Sequence, residues 1–257
     1  MTNDLFMNII HAAVLGLIEG LTEFLPISST AHMIMGSRLM GLQQTEFLKF
    51  FEVFIQIGAI FAVVFLYFKQ FFNMKLIKQL SFSFIPTAII GFLLYKIIKT
   101  IFFNSNLLIS MSLIVIGVVF IVVERMKLKE YKSISQMSLQ TAILIGLAQS
   151  LAVVPGVSRA GIVILAMMLL GFKRDESAQY SFMLALPTLA AAALLDVVKM
   201  RSVQLTLSEI EMVAMGTLVA FVVAYVSMKW FVTFLQKKKL TAFGFYRIGV
   251  GIISLFF

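Results

Sequence analysis

Two glutamates, Glu19 and Glu23, lie four residues apart in an otherwise apolar stretch near the start of the sequence. On a helix this spacing places both carboxylates on one face, together with Gly16 and Gly20. A carboxylate at the centre of a bilayer costs about 2.5–3.5 kcal/mol on insertion scales. Two such acids, with Arg159 from a second apolar stretch, are therefore expected to face a polar cavity and not lipid.

Three consecutive hydroxyl residues, Ser28, Ser29 and Thr30, follow Pro26 closely. They can cap a short apolar helix that is predicted from Ala31, since serine and threonine are common at this position. The same place also offers hydroxyls and free backbone N–H groups at a helix N-terminus, and such a terminus favours phosphate. Both interpretations are compatible with the pattern.

The second half of the chain contains a matching turn, in which Gly156 follows Pro155 and Ser158 precedes Arg159. An arginine adds bidentate hydrogen bonding to a phosphate. Two opposed helix N-termini, combined with acids and an arginine, predict an anion site. The alternative is a structural ion pair between Arg159 and a glutamate, with the hydroxyls serving only as caps.

His32 lies two residues beyond Thr30. Proton transfer and a purely structural role are both open for this imidazole. Ser29 has two candidate roles as well, as a nucleophile or as a hydrogen-bond donor to phosphate. A serine nucleophile needs a base within about 2.6–3.2 Å, and the candidates here are Glu23 and His32.

Other polar residues in apolar stretches carry weaker signals. Glu52 and Gln56 are again four apart, and either could be a neighbour of the site or a helix-packing residue. Asp196, Lys229 and Arg247 lie near the ends of predicted spans, where long side chains are expected to extend toward the membrane surface.

The composition places all these residues in a membrane protein. Of 257 residues, 61% are hydrophobic and only 13% are charged, and the mean hydropathy is +1.02, which is far from the average of soluble domains. The absence of cysteine excludes a disulfide framework and a thiolate metal site. The net charge of +9 does not indicate a nucleic-acid partner, because the basic residues cluster in short loops between apolar segments.

Six apolar segments are predicted to cross the bilayer, the last of them shorter than the others. Their bounds are Phe50–Phe68, Leu80–Phe103, Leu107–Val123, Ala178–Val198, Met212–Leu235 and Thr241–Phe257. Two further regions are each interrupted at a proline and predict re-entrant helix–turn–helix hairpins. These are Leu5–Leu25 with Ala31–Gly41, and Leu139–Val154 with Ala160–Phe172.

The two hairpins also match in sequence. GLIEGLTEFLPISSTA (16–31) aligns with GLAQSLAVVPGVSRA (146–160), with one residue fewer before the proline. Each hairpin precedes three spans, which predicts two repeats, residues 1–124 and 125–257, in one integral membrane domain. Because three spans separate the hairpins, they enter from opposite faces, giving an inverted-topology repeat.

The predicted fold class is therefore an all-α polytopic membrane protein, with six transmembrane helices and two re-entrant hairpins in an inverted-topology repeat. Taken alone, such a repeat would also suit a secondary transporter or a polyprenyl-lipid flippase. A transporter, however, needs no acids, hydroxyls and arginine clustered for a phosphate.

The distribution of positive charge predicts the orientation of the chain in its membrane. Four loops on one side, residues 69–78, 125–132, 173–174 and 237–239, contain twelve Lys and Arg residues, and the opposite side contains six. The positive-inside rule then places both termini outside.

Five motifs, in order from the first hairpin to the last span, resemble those of the undecaprenyl-diphosphate phosphatases, also called bacitracin-resistance proteins. They are EGLTEFLPISSTAH (19–32), IQIGAI (55–60), PGVSRAG (155–161), YSFMLALP (180–187) and FYRIGVG (245–251). Ala31 and Ala160 depart from the family, which often has Gly and Ser there. Both replacements are small, so activity is expected to survive, although Ala160 removes one candidate phosphate contact.

The resemblance implies hydrolysis of undecaprenyl diphosphate to undecaprenyl phosphate and inorganic phosphate at the outer face of a bacterial plasma membrane. This reaction recycles the carrier lipid of cell-wall synthesis and confers bacitracin resistance. The family's essential acid falls on Glu23, its accompanying acid on Glu19, its serine on Ser29 and its arginine on Arg159. The surrounding pocket falls on Ser28, Thr30, His32, Gly156 and Ser158.

The resemblance also implies a divalent cation, Mg or Ca, held by Glu19 and Glu23. Two carboxylates beside a diphosphate would repel it without such a cation, and hard cations prefer carboxylate and phosphate oxygens. The expected partners are the lipid substrate and the surrounding membrane lipids, and a homodimer stays open.

Overall fold

The computed structural model describes residues 6–97, 105–126, 128–129, 131–199 and 205–256. Within these residues the chain forms ten α-helices and no strand. Their bounds are α1 Ile9–Thr22, α2 Ser29–Leu39, α3 Glu46–Tyr67, α4 Met74–Ile97, α5 Asn106–Arg125, α6 Leu139–Gln149, α7 Arg159–Leu169, α8 Arg174–Lys199, α9 Leu207–Lys237 and α10 Thr241–Ser254.

Five of these helices are long and apolar enough to cross a membrane, namely α3, α4, α5, α8 and α9. The chain is therefore an all-α polytopic membrane protein, as the sequence predicts. The sixth predicted span is a shorter helix than expected. α10 has 14 residues, about 21 Å at 1.5 Å per residue, against a hydrocarbon core of about 30 Å.

Both predicted hairpins form pairs of short helices. α1 ends at Thr22 and packs on α2, which begins at Ser29, two residues earlier than the sequence predicts. α6 continues into a 3-10 turn over Ser150–Val153 and packs against α7. α2 and α7 have 11 residues each and cannot span a bilayer alone.

Glycines let each hairpin pack closely against a long helix. A Cβ atom on Gly16 of α1 would lie 2.5 Å from the carbonyl oxygen of Gly216 on α9, and one on Gly146 of α6 would lie 2.1 Å from that of Ser83 on α4. Such small residues allow backbones to approach in membranes. Gly16 and Gly146 are aligned in the sequence repeat. The paired contacts support repeats over 1–124 and 125–257, which stay a prediction.

The two hairpin turns reach the centre of the bundle, where α7 is surrounded by other helices. On α7, Val163, Ile164 and Met167 have no exposed surface. Phe24, from the first turn, packs edge-on against Phe182 of α8, with 5.3 Å between ring centroids. The most enclosed part of the protein therefore contains the two turns with the candidate site residues.

One end of the bundle is held by a buried ion pair. Glu124 at the end of α5 accepts a 2.9 Å hydrogen bond from Arg174 Nη2, at the start of α8. It also accepts from the backbone N–H of Leu240, just before α10, at 2.8 Å. Glu124 therefore joins three helices at the end that the charge pattern assigns to the inside.

The structure does not describe the side chain of Asp196 or some of the Lys and Arg residues that predict the orientation of the chain. Lys99, Lys127 and Arg201, and the side chains of Lys96, Asp196 and Lys199, lie outside the described residues.

Candidate active site

An ion pair between Glu23 and Arg159 joins the two hairpins. Arg159 Nη2, at the start of α7, donates a 2.7 Å hydrogen bond to Oε1 of Glu23, just after α1. The other oxygen of this carboxylate, Oε2, accepts a hydrogen bond from the hydroxyl of Ser29, at the start of α2. The structure thus brings together the acid, the serine and the arginine that the sequence selects.

Arg159 is held in place by more than its ion pair. Its Nη1 donates to the carbonyl oxygen of Ser181 on α8 at 2.9 Å, and its guanidinium lies 5.6 Å from the centroid of the Phe24 ring. Its Nε is buried and has no hydrogen-bond partner among the described residues. The guanidinium is therefore fixed in orientation and retains the buried Nε–H as a donor for a further acceptor.

Glu19 lies one helical turn before Glu23 and is almost completely buried, with 1% of its surface exposed. Its Oε1 has no hydrogen-bond partner among the described residues. Glu19 interacts electrostatically with Glu23, Glu52 and Arg159. Glu52, on α3, is therefore close enough to act on the Glu19 carboxylate, and its role as a neighbour of the site stays a prediction. An unpartnered buried carboxylate is costly and calls for a proton, a cation or a ligand.

The two turns share an unusual backbone conformation. Ser28 has φ 74° and Ser158 has φ 72°, and they are the two non-glycine residues with positive φ in the described part of the chain. Positive φ is unfavourable for residues with a side chain and often marks functional sites. Each strained serine directly precedes a short helix, so the chain enters α2 and α7 through the same conformation.

The serines cap their helices differently. The Ser158 hydroxyl accepts from the N–H of Gly161 at 3.2 Å and so caps α7. Ser28 makes no side-chain cap on α2. The Ser28 hydroxyl therefore does not accept hydrogen bonds from the first-turn N–H groups of α2. Thr30, which is half-buried, lies in the same turn.

Arg247 corrects the expectation that it extends toward the membrane surface. Its side chain is completely buried. It donates from Nη1 to the carbonyl oxygen of Pro26 at 2.9 Å and from Nη2 to those of Gly156 and Val157. The snorkelling prediction was wrong because α10 turns this residue inward, where it joins the two hairpin turns.

The structure explains why residue 156 is a glycine. Gly156 has φ 94°, and a Cβ atom there would lie 2.5 Å from the carbonyl oxygen of Ile109 on α5. Its own carbonyl is bound by Arg247. A direct role of Gly156 in substrate binding stays a prediction.

His32 does not contact Ser29 or Glu23 through any hydrogen bond of the described structure. Its Nδ1 lies 2.8 Å from the carbonyl oxygen of Ser28, and its Nε2 lies 2.8 Å from the hydroxyl of Tyr246 on α10. Glu23 is therefore the base candidate that touches Ser29. Sequence analysis missed Tyr246, although its motif, residues 245–251, was part of the resemblance.

The carboxylate oxygens of the site determine whether it can bind a divalent cation. In the described part of the chain, no group of three or more His, Cys, Asp and Glu residues is placed to hold a metal ion. Glu19 Oε1 is buried and unpartnered, whereas both oxygens of Glu23 have partners. The residues fit a cation that takes most ligands from a substrate and water, as Mg²⁺ commonly does.

An apolar groove of about 960 Å³ lies elsewhere, between α3 and α9. Its lining includes Phe54, Phe61, Phe65 and Phe221, and none of the predicted site residues. A groove without charge offers no chemistry for a phosphate. The candidate active site is therefore the polar contact between the hairpins.

Comparison with known proteins shows the family of the chain. The family described as bacitracin resistance protein BacA matches residues 12–253, which include both hairpin turns and all but the last residue of α10. The chain belongs to the BacA family. The acids, the serine and the arginine of the site all lie inside the matched region.

Several curated proteins that this chain resembles are named undecaprenyl-diphosphatase. One from Sulfurihydrogenibium is 48% identical and covers 96% of this chain and 98% of the relative. One from Aquifex aeolicus is 41% identical and covers 95% of this chain and 96% of the relative. One from Campylobacter fetus is 44% identical and covers 98% of this chain and 99% of the relative. The likeness extends over nearly the full length of this chain and of each relative.

Proposed function

We propose that this chain hydrolyses undecaprenyl diphosphate to undecaprenyl phosphate and inorganic phosphate. The observation that carries the proposal is the contact of Glu23 with both Ser29 and Arg159, buried inside a membrane protein. The name of the three relatives, undecaprenyl-diphosphatase, supports the same substrate. A serine beside a carboxylate and an arginine suits phosphoryl transfer better than passive transport.

In the proposed reaction, Ser29 Oγ attacks the terminal phosphorus, and its proton passes to the Glu23 carboxylate that already accepts it. The bond from phosphorus to the bridging oxygen breaks, and the proton on Glu23 passes to the leaving lipid phosphate, which restores the carboxylate. Water then attacks the phosphoserine and Glu23 takes a proton from that water. As the bond from phosphorus to Ser29 Oγ breaks, Glu23 returns this proton to Oγ, and inorganic phosphate leaves. The competing route is direct attack by water, with Ser29 donating a hydrogen bond to the phosphate.

Arg159 and the start of α2 would stabilise the charge that develops on the phosphoryl oxygens. The Arg159 guanidinium is fixed by Glu23 and by the Ser181 carbonyl, so little reorganisation is needed during reaction. First-turn N–H groups of α2 add positive potential. Both contributions grow as negative charge builds up on the phosphoryl oxygens and on the bridging oxygen, which leaves with the electron pair of the broken bond.

A divalent cation, Mg or Ca, is part of the proposal. Glu19 and Glu23 would hold it, and the buried, unpartnered Oε1 of Glu19 supports that assignment. When bound, the cation would supply charge neutralisation between the carboxylates and the diphosphate. Substrate oxygens and water would complete its shell.

We further propose that the site opens to the outer face of the bacterial plasma membrane, with both termini outside. The basic loops support this orientation through the positive-inside rule. Hydrolysis on that face would return the cell-wall carrier lipid to its monophosphate form and compete with bacitracin. A homodimer stays open.

The alternative, a secondary transporter or polyprenyl-lipid flippase, rests on the predicted inverted repeat. It does not require a serine hydroxyl bonded to a carboxylate that an arginine also binds. Phosphate release from undecaprenyl diphosphate in detergent, with and without chelator, separates the two. The phosphatase releases phosphate without a membrane to cross and loses this activity on chelation, whereas a transporter releases none.

A further inference from the structure

Tyr246 and His32 form a contact between the two halves of the chain that the proposed reaction has not used. The two rings are nearly parallel, with an interplanar angle of 4° and 5.6 Å between centroids. The Tyr246 hydroxyl lies 2.8 Å from His32 Nε2. Because the residues are 214 positions apart, this geometry depends on α10 packing beside the first hairpin.

The other side of the imidazole determines which nitrogen carries its proton. His32 Nδ1 lies 2.8 Å from the carbonyl oxygen of Ser28, and a carbonyl can only accept. Nδ1 must therefore carry a hydrogen, and in a neutral ring Nε2 keeps its lone pair. The hydroxyl of Tyr246 is then the donor to Nε2.

We propose that Tyr246 is a positioning residue that fixes His32 as the Nδ1–H tautomer and, through it, the strained turn that presents Ser29. The sequence of contacts runs from the Tyr246 hydroxyl to His32, and from His32 to the Ser28 carbonyl. Ser28 has φ 74° and directly precedes Ser29. This inference rests on the proposed function only for its effect on turnover.

The strained turn needs such a support. A non-glycine residue at positive φ costs of order 1–3 kcal/mol and persists when the surroundings hold it. Ser28 has no side-chain capping bond on α2, so the bond from His32 to its carbonyl is one of the contacts that hold it. Without the Tyr246 hydroxyl, the imidazole can change tautomer or rotate, which leaves that carbonyl with the longer, 3.3 Å bond from the backbone N–H of His32.

Tyr246 also connects the imidazole with the surface of the protein. It is 46% exposed, while His32 is half-buried. If Nε2 takes up a proton, the same hydroxyl can accept a hydrogen bond from Nε2–H and donate its own hydrogen to another acceptor. The neighbouring Arg247 guanidinium acts on the same ring through space. The pair thus links the turn of the first hairpin to the surface of the protein.

Histidine-selective ¹⁵N NMR tests the tautomer directly, because the chain has only two histidines. His11 is an internal reference of opposite type, since its Nδ1 accepts from the backbone N–H of Asn8, which makes it the Nε2–H tautomer. At about pH 8, above the roughly 6.5 of an ordinary imidazole, His32 should show Nδ1–H and His11 Nε2–H. A His11→Gln variant assigns the signals.

Tyr246→Phe keeps the ring and removes the hydroxyl. Tyr225→Phe is the matched control, because among the described residues the Tyr225 hydroxyl bonds only Lys229. We expect the His32 nitrogen signals to move in Tyr246→Phe and to stay in Tyr225→Phe. Turnover should fall about 5- to 30-fold with KM unchanged, which is less than the loss of a general acid–base group itself. The pH profile of kcat should shift in Tyr246→Phe alone.

Two results would overturn the inference. One is an Nε2–H tautomer of His32 in the wild type, and the other is a Tyr246→Phe protein with unchanged His32 signals. Absence of phosphate release by the wild type would instead overturn the proposed function, because the ring-nitrogen spectra do not depend on turnover.

Discussion

Arg159 Nη2 and Glu23 Oε1 are 2.7 Å apart, although 136 residues separate them in the chain. Both side chains are less than 10% exposed. This contact joins the start of α7 to the end of α1, so the site exists only when both hairpins are folded together.

Arg159→Lys should cause a severe loss of phosphate release, by at least about 100-fold, with normal expression. Lysine keeps the positive charge but cannot bind Glu23, the Ser181 carbonyl and a phosphate with one planar fork. Arg125→Lys, at the exposed end of α5, is the matched control and should be as active as the wild type. Near-normal turnover by Arg159→Lys would rule out a bidentate phosphate clamp.

Glu19→Gln should reduce activity while it stabilises the fold. The substitution removes a buried carboxylate whose Oε1 is unpartnered, so the free energy of unfolding should rise by roughly 1–3 kcal/mol. Activity should need more divalent cation than in the wild type and recover in part when it is added.

Thermal unfolding and a metal titration of phosphate release measure both effects. Glu46→Gln is the control, since that carboxylate is exposed and pairs only with Lys49. If Glu19→Gln lowered the melting temperature and kept the metal dependence of the wild type, Glu19 would be a structural residue and not a cation ligand.

Ser29→Ala should be inactive, and the wild type should form a phosphoserine during turnover. The Ser29 hydroxyl already donates to the Glu23 carboxylate, the geometry of a nucleophile beside its base. Ser37→Ala, on the same helix with its hydroxyl bound to the Ile34 carbonyl, should retain activity. Rapid-quench mass spectrometry that finds unmodified Ser29 throughout turnover, or substantial turnover by Ser29→Ala, would favour direct attack by water.

Much of this arrangement can be predicted from the sequence because the relevant signals are local. Long apolar segments give the five spanning helices, and prolines within apolar stretches give the hairpins. The cost of charge in lipid selects Glu19, Glu23 and Arg159 for a shared cavity. That reasoning names the members of the site without any knowledge of how the helices pack.

The contributions of α10 could not be predicted, because they depend on how distant helices pack. Arg247 was expected to extend toward the membrane surface, yet it binds the carbonyls of both turns. Its position well inside the predicted segment 241–257 was the available signal. The positive φ of Ser28 and Ser158 likewise arises from tertiary contacts, which override the preference of serine for negative φ.

The orientation predicts which positions an impermeant thiol reagent can reach in intact cells. The chain has no cysteine, so single cysteines can be introduced without background. Lys49→Cys, exposed at the start of α3, should be labelled from outside. Lys75→Cys, at the start of α4, should be labelled only after the cells are opened. Labelling of Lys75→Cys in intact cells would reverse the proposed orientation.

The central claim is that this site removes the terminal phosphate of undecaprenyl diphosphate. The most direct test uses substrate labelled in that phosphate, with purified wild type and Glu23→Gln side by side. Glutamine is nearly isosteric but has no negative charge to bind Arg159 or take the Ser29 proton. We predict that the wild type converts the label to inorganic phosphate and leaves unlabelled lipid monophosphate, while Glu23→Gln releases none. Retention of the label on the lipid by the wild type, or equal release by Glu23→Gln, would contradict the account.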